Sequence, residues 1–365
     1  LPGLPEKDPD PKLLVMTEAP QEALAAAKAA RLRYVDDRRP GIRREPRGDD
    51  FRYVAPDGKA IRDPGELERL RALGIPPAWT DVWICPDARG HVQATGRDAK
   101  GRKQYLYHPR WREVRDAHKF ERVVGFVDCL PDLRGQVRAD LGLSGLPRDK
   151  VVALVVELMG RTLIRIGNRQ YAQANGSYGL TTLQDGHVEA VRGKIVFDFV
   201  GKHGKEHHIE LKAPRLARLV RRVQDIPGHE LFQYVEDDGA RRVVESEDVN
   251  EYLRRVTGQD FTAKDFRTWG ATVAAATELC DLPPFEKAAQ AKRNVSAVIK
   301  SVAQRLGNTP ALCRKAYVHP AIPGTYLEGA LLEGLSACRA EADGRCPPLL
   351  ETDEAAVAAY LRALK

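Results

Sequence analysis

Between Tyr34 and His108 the sequence runs in short β-branched and aromatic stretches broken by turn signals, and from Pro109 onward its apolar residues recur at helical spacing. A chain that changes period once in this way cannot build a single uniform layer. The expected class is α+β, with a small, mostly antiparallel β-rich N-terminal domain and a larger, mainly α-helical one. The strand-like runs are Arg52–Val54, Asp81–Cys85 and His91–Thr95, separated by turns at Pro56–Gly58 and Asp87–Gly90. In the helical half, Pro109–Phe120 is amphipathic, and Asp149–Gly160 behind Pro147 reads as a capped, buried helix. One strand pair interrupts it. Lys194–Val200 and His207–Leu211 flank Gly201–Glu206, which predicts a β-hairpin with a flexible basic tip.

The division that follows is a flexible tail over 1–24, a β-rich domain over 25–115, a helical domain over 116–350 and a C-terminal helix over 351–365. The tail is assigned from Pro2, Pro5, Pro9 and Pro11, which leave no periodicity, and Leu1 in place of Met suggests a processed or truncated start. An Ala-rich helix is expected over Pro20–Arg31, and a loop at Cys346–Pro348 precedes a last helix, Thr352–Leu364. No internal repeat is visible. With 365 residues, two cores are the natural expectation.

The net charge of +7 comes from 58 basic and 51 acidic residues and favours a polyanionic partner. No apolar run reaches the roughly 18 residues that span a bilayer, so no membrane partner and a cytoplasmic location are expected. The six cysteines form no Cys-x-x-Cys pair, which speaks against a zinc ribbon or redox motif and for reduced thiols. Cys313, four residues before Tyr317, shares a face with it if the segment is helical, as a packing residue or a redox-sensitive one.

The segment Leu306–Pro320 places an amide side chain, Asn308, nine residues before Tyr317, which sits among basic residues. Three cations precede it: Arg165 after an apolar helix, Lys202 in the hairpin tip and Arg267 ahead of an Ala-rich helix. Phosphodiester transfer gathers negative charge on the phosphoryl oxygens, so it needs positioned cations and donors. Each guanidinium can grip two oxygens in a fixed fork. A mobile lysine can protonate a departing 5′ oxygen, and a tyrosine can attack phosphorus to form an ester that conserves the bond. Asn308 can donate a hydrogen bond to a phosphoryl oxygen but cannot act as an acid or base. Taken singly, an arginine at a helix end, a hairpin lysine and a half-buried tyrosine are ordinary structural residues; their joint order carries the reading. The glycine spacing of Gly201–Lys205 does not fit a phosphate loop. His203, His207 and His208 invite a metal reading, but strand residues four apart lie about 13 Å apart, too far for one zinc.

The β-rich half supplies a second constellation, in which Arg97, Lys100, Arg102 and Lys103 precede Gln104, Tyr105 and Tyr107. Cations there would neutralise phosphates while the amide and phenols reach bases or sugars. Arg38–Arg44 is either a second backbone contact or a solvated loop.

In order, Arg165, Lys202, Arg267, Asn308 and Tyr317 resemble the active-site set of a type IB DNA topoisomerase of the compact poxvirus-like bacterial type, and Gln104–Tyr107 is similar to that family's groove-reading Gln-Tyr-x-Tyr element. The resemblance runs from about Leu32 to about Glu333. It implies a monomeric, nucleoid-associated enzyme that clamps duplex DNA, with a DNA-binding β-rich domain and a catalytic helical one. One strand would be cut through a 3′-phosphotyrosine at Tyr317, the duplex would swivel, and the strand would be resealed without ATP, metal or other cofactor. In that family the Asn308 position holds histidine or asparagine. Tyr326 is the next candidate nucleophile. The alternatives are a tyrosine recombinase, which shares the chemistry but normally carries a helical N-terminal domain, and a non-catalytic DNA-binding protein, which would leave the ordered set of five unexplained.

Overall fold

The fold is taken from a computed structural model that describes residues 21–364 apart from Asp49, Lys100, Asp237 and 343–347. The expected tail lies almost wholly outside the described residues, as do Lys100 and Cys346. The chain divides into two compact units, Leu1–Lys119 and Phe120–Lys365.

The first unit contains helix α1 (Gln21–Ala29), strands β1 (Ile42–Arg47) and β2 (Asp50–Val54), helix α2 (Pro64–Ala72), and strands β3 (Thr80–Ile84), β4 (Val92–Arg97) and β5 (Lys103–Tyr107). The strands form one sheet in the order β2-β1-β3-β4-β5, with every neighbouring pair antiparallel. Ile42, Tyr53, Val82, Ile84 and Ala94 fill one core together with Leu70 of α2 and Ile75. Helix α2 was not anticipated, because its sequence is short and has only two large apolar residues, Leu67 and Leu70; Asp63 caps it by accepting from the Glu66 N–H at 2.8 Å, and Pro64 occupies the first turn. The segment Arg38–Arg44 is not a plain loop. Its end enters β1, and the buried Arg44 donates to the carbonyls of Ile75 (2.9 Å), Pro76 (2.9 Å) and Trp79 (2.8 Å), which removes it from the candidate backbone contacts.

Helix α3 (Pro109–Asp140) runs well past Phe120, where the amphipathic signal ended, and carries Pro131 inside. The second unit continues with α4 (Arg148–Thr162), α5 (Arg169–Asn175), β6 (Val188–Val191), β7 (Lys194–Val200), β8 (Glu206–Lys212), α6 (Pro214–Gln224), β9 (Gln233–Val235), β10 (Arg241–Val243), α7 (Ser246–Thr257), α8 (Ala263–Cys280), α9 (Ala288–Arg305), α10 (Pro310–Ala316), α11 (Ala321–Leu327), α12 (Leu331–Ala342) and α13 (Thr352–Ala363). The hairpin is β7–β8, paired from Lys194–Lys212 to Val200–Glu206. It is the larger part of a three-stranded sheet, since β6 pairs with the other edge of β7; four residues are too few to show a period in the sequence. A further small pair, β9–β10, was also unforeseen.

Helix α4 is the centre of the core, with Val151 through Val156, Leu158 and Met159 all buried. Each such apolar side chain contributes about 1.5–3 kcal/mol on burial. Residues 351–365 are not set apart. Arg134 of α3 grips Glu354 of α13 through two hydrogen bonds (2.6 and 2.9 Å), and Trp269 of α8 donates to the same carboxylate at 3.1 Å. Among the described residues no helix is long and apolar enough to cross a membrane.

Candidate active site

Helix α9 ends in a glycine-closed turn. The Gly307 N–H donates to Gln304 O at 3.0 Å and the Asn308 N–H to Ala303 O at 2.9 Å, with Gly307 at φ +61°, the pattern of a Schellman cap. That turn offers its carbonyls to two arginines. Arg267 Nη2 donates to Leu306 O at 2.7 Å, and its Nη1 donates to Leu163 O. Arg165 donates to the same Leu306 O at 3.3 Å, to Gly307 O at 3.3 Å and to Asn308 Oδ1.

Each element explains how its residue arrives there. Helix α4 stops at Leu163, which is left-handed at φ 56° and closes onto Met159 O. The chain then runs extended, with Arg165 O accepting from Leu180 N at 2.8 Å and Ile166 O from Thr181 N at 2.7 Å. Helix α8 starts at a capping box in which Asp265 accepts from the Thr262 N–H (2.8 Å) and hydroxyl (3.0 Å). This sets Arg267 in the first turns of the helix, only 4% exposed. Thr309 caps α10 by accepting from the Leu312 N–H, and Pro310 follows it at the first position.

Tyr317 ends α10. Its N–H donates to Cys313 O at 2.9 Å and its carbonyl accepts from the Thr272 hydroxyl of α8 at 3.2 Å, so the helix that carries Arg267 also anchors the tyrosine. The Arg267 guanidinium carbon lies 5.3 Å from the Tyr317 ring centroid. Arg165, Arg267, Asn308 and Tyr317 are thus brought together.

Two polar groups in this cluster are buried without a hydrogen-bond partner among the described residues, Arg267 Nε and Asn308 Nδ2. Buried donors are normally satisfied, so two at one place mark a place where an acceptor is wanted. Burial, and then the charge of Arg165, push Arg267 down from its ordinary value to about 10, while burial lowers Arg165. Arg267 therefore keeps its charge at neutral pH. Neither arginine pairs with a carboxylate among the described residues; carbonyl and amide oxygens hold them.

Lys202 stands exposed in a short turn at the tip of β7–β8, where Gly201 N–H donates to Lys205 O at 2.7 Å. The neighbouring Lys205 Nζ donates to Asn308 O at 3.0 Å. The His207 ring stacks on Phe199 with centroids 4.9 Å apart; burial, Arg165, Arg267 and Lys205 all hold it below the usual imidazole range. His208 instead pairs with Asp198 at 2.7 Å, and no three metal-ligating side chains cluster among the described residues. Tyr326 is fully buried and accepts from Asn294 Nδ2 at 2.8 Å, which makes it a core residue. Cys313 is fully buried as well, and burial pushes its thiol up to about 11, far from a reactive thiolate.

The second constellation lies in the first unit, on β5 and the turn before it. The Tyr105 and Tyr107 rings stack at 5.9 Å, and Tyr105 is 45% exposed. Acidic neighbours hold the polar members in place. Asp98 takes Arg102 at 2.6 Å and Gln104 Nε2 at 2.9 Å, and Asp37 takes Lys103 at 2.6 Å. Thr272, Lys205 and His207 are the site residues that sequence reasoning missed as such. The glycines at 201 and 307, each just before a candidate side chain, were the available signal for the last of them.

Residues 108–322 match the family model for the catalytic core of eukaryotic DNA topoisomerase I, and residues 50–98 match that for the N-terminal domain of bacterial DNA topoisomerase IB. A β-rich unit of that type ahead of this arginine, asparagine and tyrosine cluster defines a strand-transferring class, and the chain belongs to the type IB DNA topoisomerases. It is 32% identical to DNA topoisomerase 1B of Acanthamoeba polyphaga mimivirus over 76% of this chain and 85% of the relative. It is 25% identical to DNA topoisomerase 1B of vaccinia virus over 69% of this chain and 79% of the relative. The rabbit fibroma virus DNA topoisomerase 1 is also 25% identical, over 69% and 78%.

Proposed function

We propose that this chain relaxes supercoiled duplex DNA, with Tyr317 as nucleophile. The Tyr317 phenol gives its proton to solvent as its oxygen forms the bond to phosphorus and the bond to the 5′ oxygen breaks; Lys202 gives that departing oxygen a proton. The products are a 3′-phosphotyrosine and a free 5′-hydroxyl. Arg165, Arg267 and the Asn308 amide N–H stabilise the non-bridging oxygens as charge gathers there. After the duplex has swivelled, the hydroxyl attacks the phosphotyrosine, returns its proton to Lys202 and releases the tyrosine, which regains its proton from solvent. The ester keeps the energy of the cleaved bond, so the scheme calls for neither ATP nor metal.

The observation that carries this reading is the pair of unpartnered buried donors, Arg267 Nε and Asn308 Nδ2, in a cluster of two guanidiniums beside Tyr317. Arg102, Lys103 and Lys100 contact the backbone in this reading, and Gln104, Tyr105 and Tyr107 reach the groove. The enzyme acts as a monomer in a bacterial cytoplasm, associated with the nucleoid. The test is relaxation of a supercoiled plasmid in EDTA without nucleotide, with denaturant trapping of a protein–DNA adduct. Relaxation and adduct that both vanish in Tyr317→Phe support the scheme. Relaxation that requires a divalent ion or ATP, or an adduct that survives the substitution, overturns it.

A further inference from the structure

The hairpin tip that carries Lys202 meets the turn that carries Asn308 at two points. One is the Lys205 ammonium on Asn308 O, at 3.0 Å. The other is the His207 imidazole, which occupies the space beside two glycines. A Cβ added to Gly201 would lie 2.7 Å from His207 Nε2, and a Cβ added to Gly307 would lie 2.4 Å from His207 Cε1 and 2.7 Å from Nε2. Such distances are far inside van der Waals contact, so the ring fits only because both positions lack a side chain. Gly201 directly precedes Lys202, and Gly307 directly precedes Asn308. The far face of the ring is backed by Phe199, with an interplanar angle of 10°.

We infer that His207, with Lys205, is a positioning residue that seats the Lys202 turn against the Asn308 turn and so sets where the proton of Lys202 is delivered. The imidazole touches neither the phosphate nor the nucleophile in this account; it acts through the turn it supports. The arrangement suits an uncharged wedge. Burial, and then the charges of Arg165, Arg267 and Lys205, hold the imidazole below its ordinary range. A protonated ring would be a fourth cation in a cluster that already holds three. Lys202 itself is exposed, directly after Gly201 and two residues before Gly204, so its local backbone does little to direct it. The two contacts at the base of the turn supply the restraint.

The inference rests on Lys202 being the general acid, and the experiment separates the two. Single-turnover cleavage is measured on a duplex with an ordinary 5′ bridging oxygen and on one with sulfur there, a leaving group that needs no proton. The variants are Lys202→Ala, His207→Ala and Lys205→Met, the last serving because an exposed side chain can be replaced without disturbing the core. Misplacing a proton donor by about 1 Å costs on the order of 10- to 100-fold, and losses of that size are expected for His207→Ala and, less severely, Lys205→Met on the oxygen substrate. On the sulfur substrate both should return to within about twofold of the parent, as Lys202→Ala does, because the misplaced step is no longer needed. If Lys202→Ala is not rescued, the general-acid reading falls. If Lys202→Ala is rescued while His207→Ala and Lys205→Met remain equally slow on both substrates, or lose nothing on either, the positioning inference alone is overturned.

Discussion

The Arg267 guanidinium carbon stands 5.3 Å from the centre of the Tyr317 ring, and the carbonyl of Tyr317 is held by Thr272, five residues along the same helix. Helix α8 therefore fixes both the charge and the phenol. Tyr317→Phe should leave this geometry intact and remove only the reacting oxygen. DNA affinity should change by less than about twofold while covalent adduct formation disappears. Denaturing gels and a binding titration on the same preparation check this, and an adduct from the Phe variant would contradict it.

Arg267 and Arg165 should separate when stability is measured beside rate. Loss of either should slow cleavage and religation on the order of 10²-fold or more, as expected for a group that stabilises transition-state charge. Arg267 also satisfies the Leu163 and Leu306 carbonyls from a nearly fully buried position, so Arg267→Ala should in addition cost about 1–3 kcal/mol of folding stability. Denaturant midpoints for the two alanine variants test this; equal midpoints would show that the carbonyls find other donors.

Asn308 offers its oxygen to Arg165, and its buried N–H₂ has no partner among the described residues. Asn308→Asp preserves the acceptor and loses the donor, so it should fold, pair with Arg165 and slow cleavage at least as much as Asn308→Ala. Asn308→His should retain substantial activity, because an imidazole N–H can donate from a similar place. Single-turnover rates rank the three, and an Asp variant as fast as the parent would assign the phosphoryl contact elsewhere.

On β5, Lys103 is paired with Asp37, and Asp98 holds Arg102 and Gln104. Contact with phosphate requires these internal pairs to loosen, so Asp37→Asn should tighten DNA binding, while Lys103→Ala should weaken it and lower the log-log salt slope by about 0.9. A salt titration of affinity is the measurement. An unchanged slope for Lys103→Ala would take that lysine out of the interface.

Burial lowers the imidazoles of His91, His108, His187 and His207 in the folded chain. A group with a depressed folded pKa takes up protons first in the unfolded state. Stability should therefore be intact above about pH 6.5, the unfolded value, and fall as pH drops below it towards the folded values. His208, raised by Asp198 and fully exposed, acts in the opposite direction and only weakly. Thermal melting between about pH 7.5 and 5.5 should show a declining midpoint; a rising one would contradict the burial of these rings.

Where local pattern dictates structure, the sequence was a sufficient guide. The unbroken apolar run of α4 and the alternating β7–β8 hairpin were legible because burial imposes a period. Helix α2 and strand β6 were not, since nine residues with two large apolar side chains and four residues respectively carry too little pattern. Arg44 looked like one more surface cation, yet it donates to the carbonyls of Ile75, Pro76, Pro77 and Trp79, outside its own strand, and such long-range pairing leaves no local mark. The order of Arg165, Lys202, Arg267, Asn308 and Tyr317 pointed to one site. What gathers the two arginines is the main-chain oxygen of Leu306, and no side-chain motif encodes a carbonyl.

Because carbonyls hold Arg165 and Arg267, with no carboxylate paired to them among the described residues, the two guanidiniums keep their full attraction for an incoming anion. A carboxylate clamp would compete for the same donors and would have to be displaced at every turnover, as Asp37 and Asp98 would beside β5 in the proposed DNA contact. A neutral dipole yields nothing back to solvent and needs no counter-ion exchange. In the proposed scheme the molecule thus divides its cations into two kinds: those at β5 are tempered, so that their grip on DNA would be readily reversible, whereas those around Leu306 would stay poised for the brief accumulation of charge on a single phosphate.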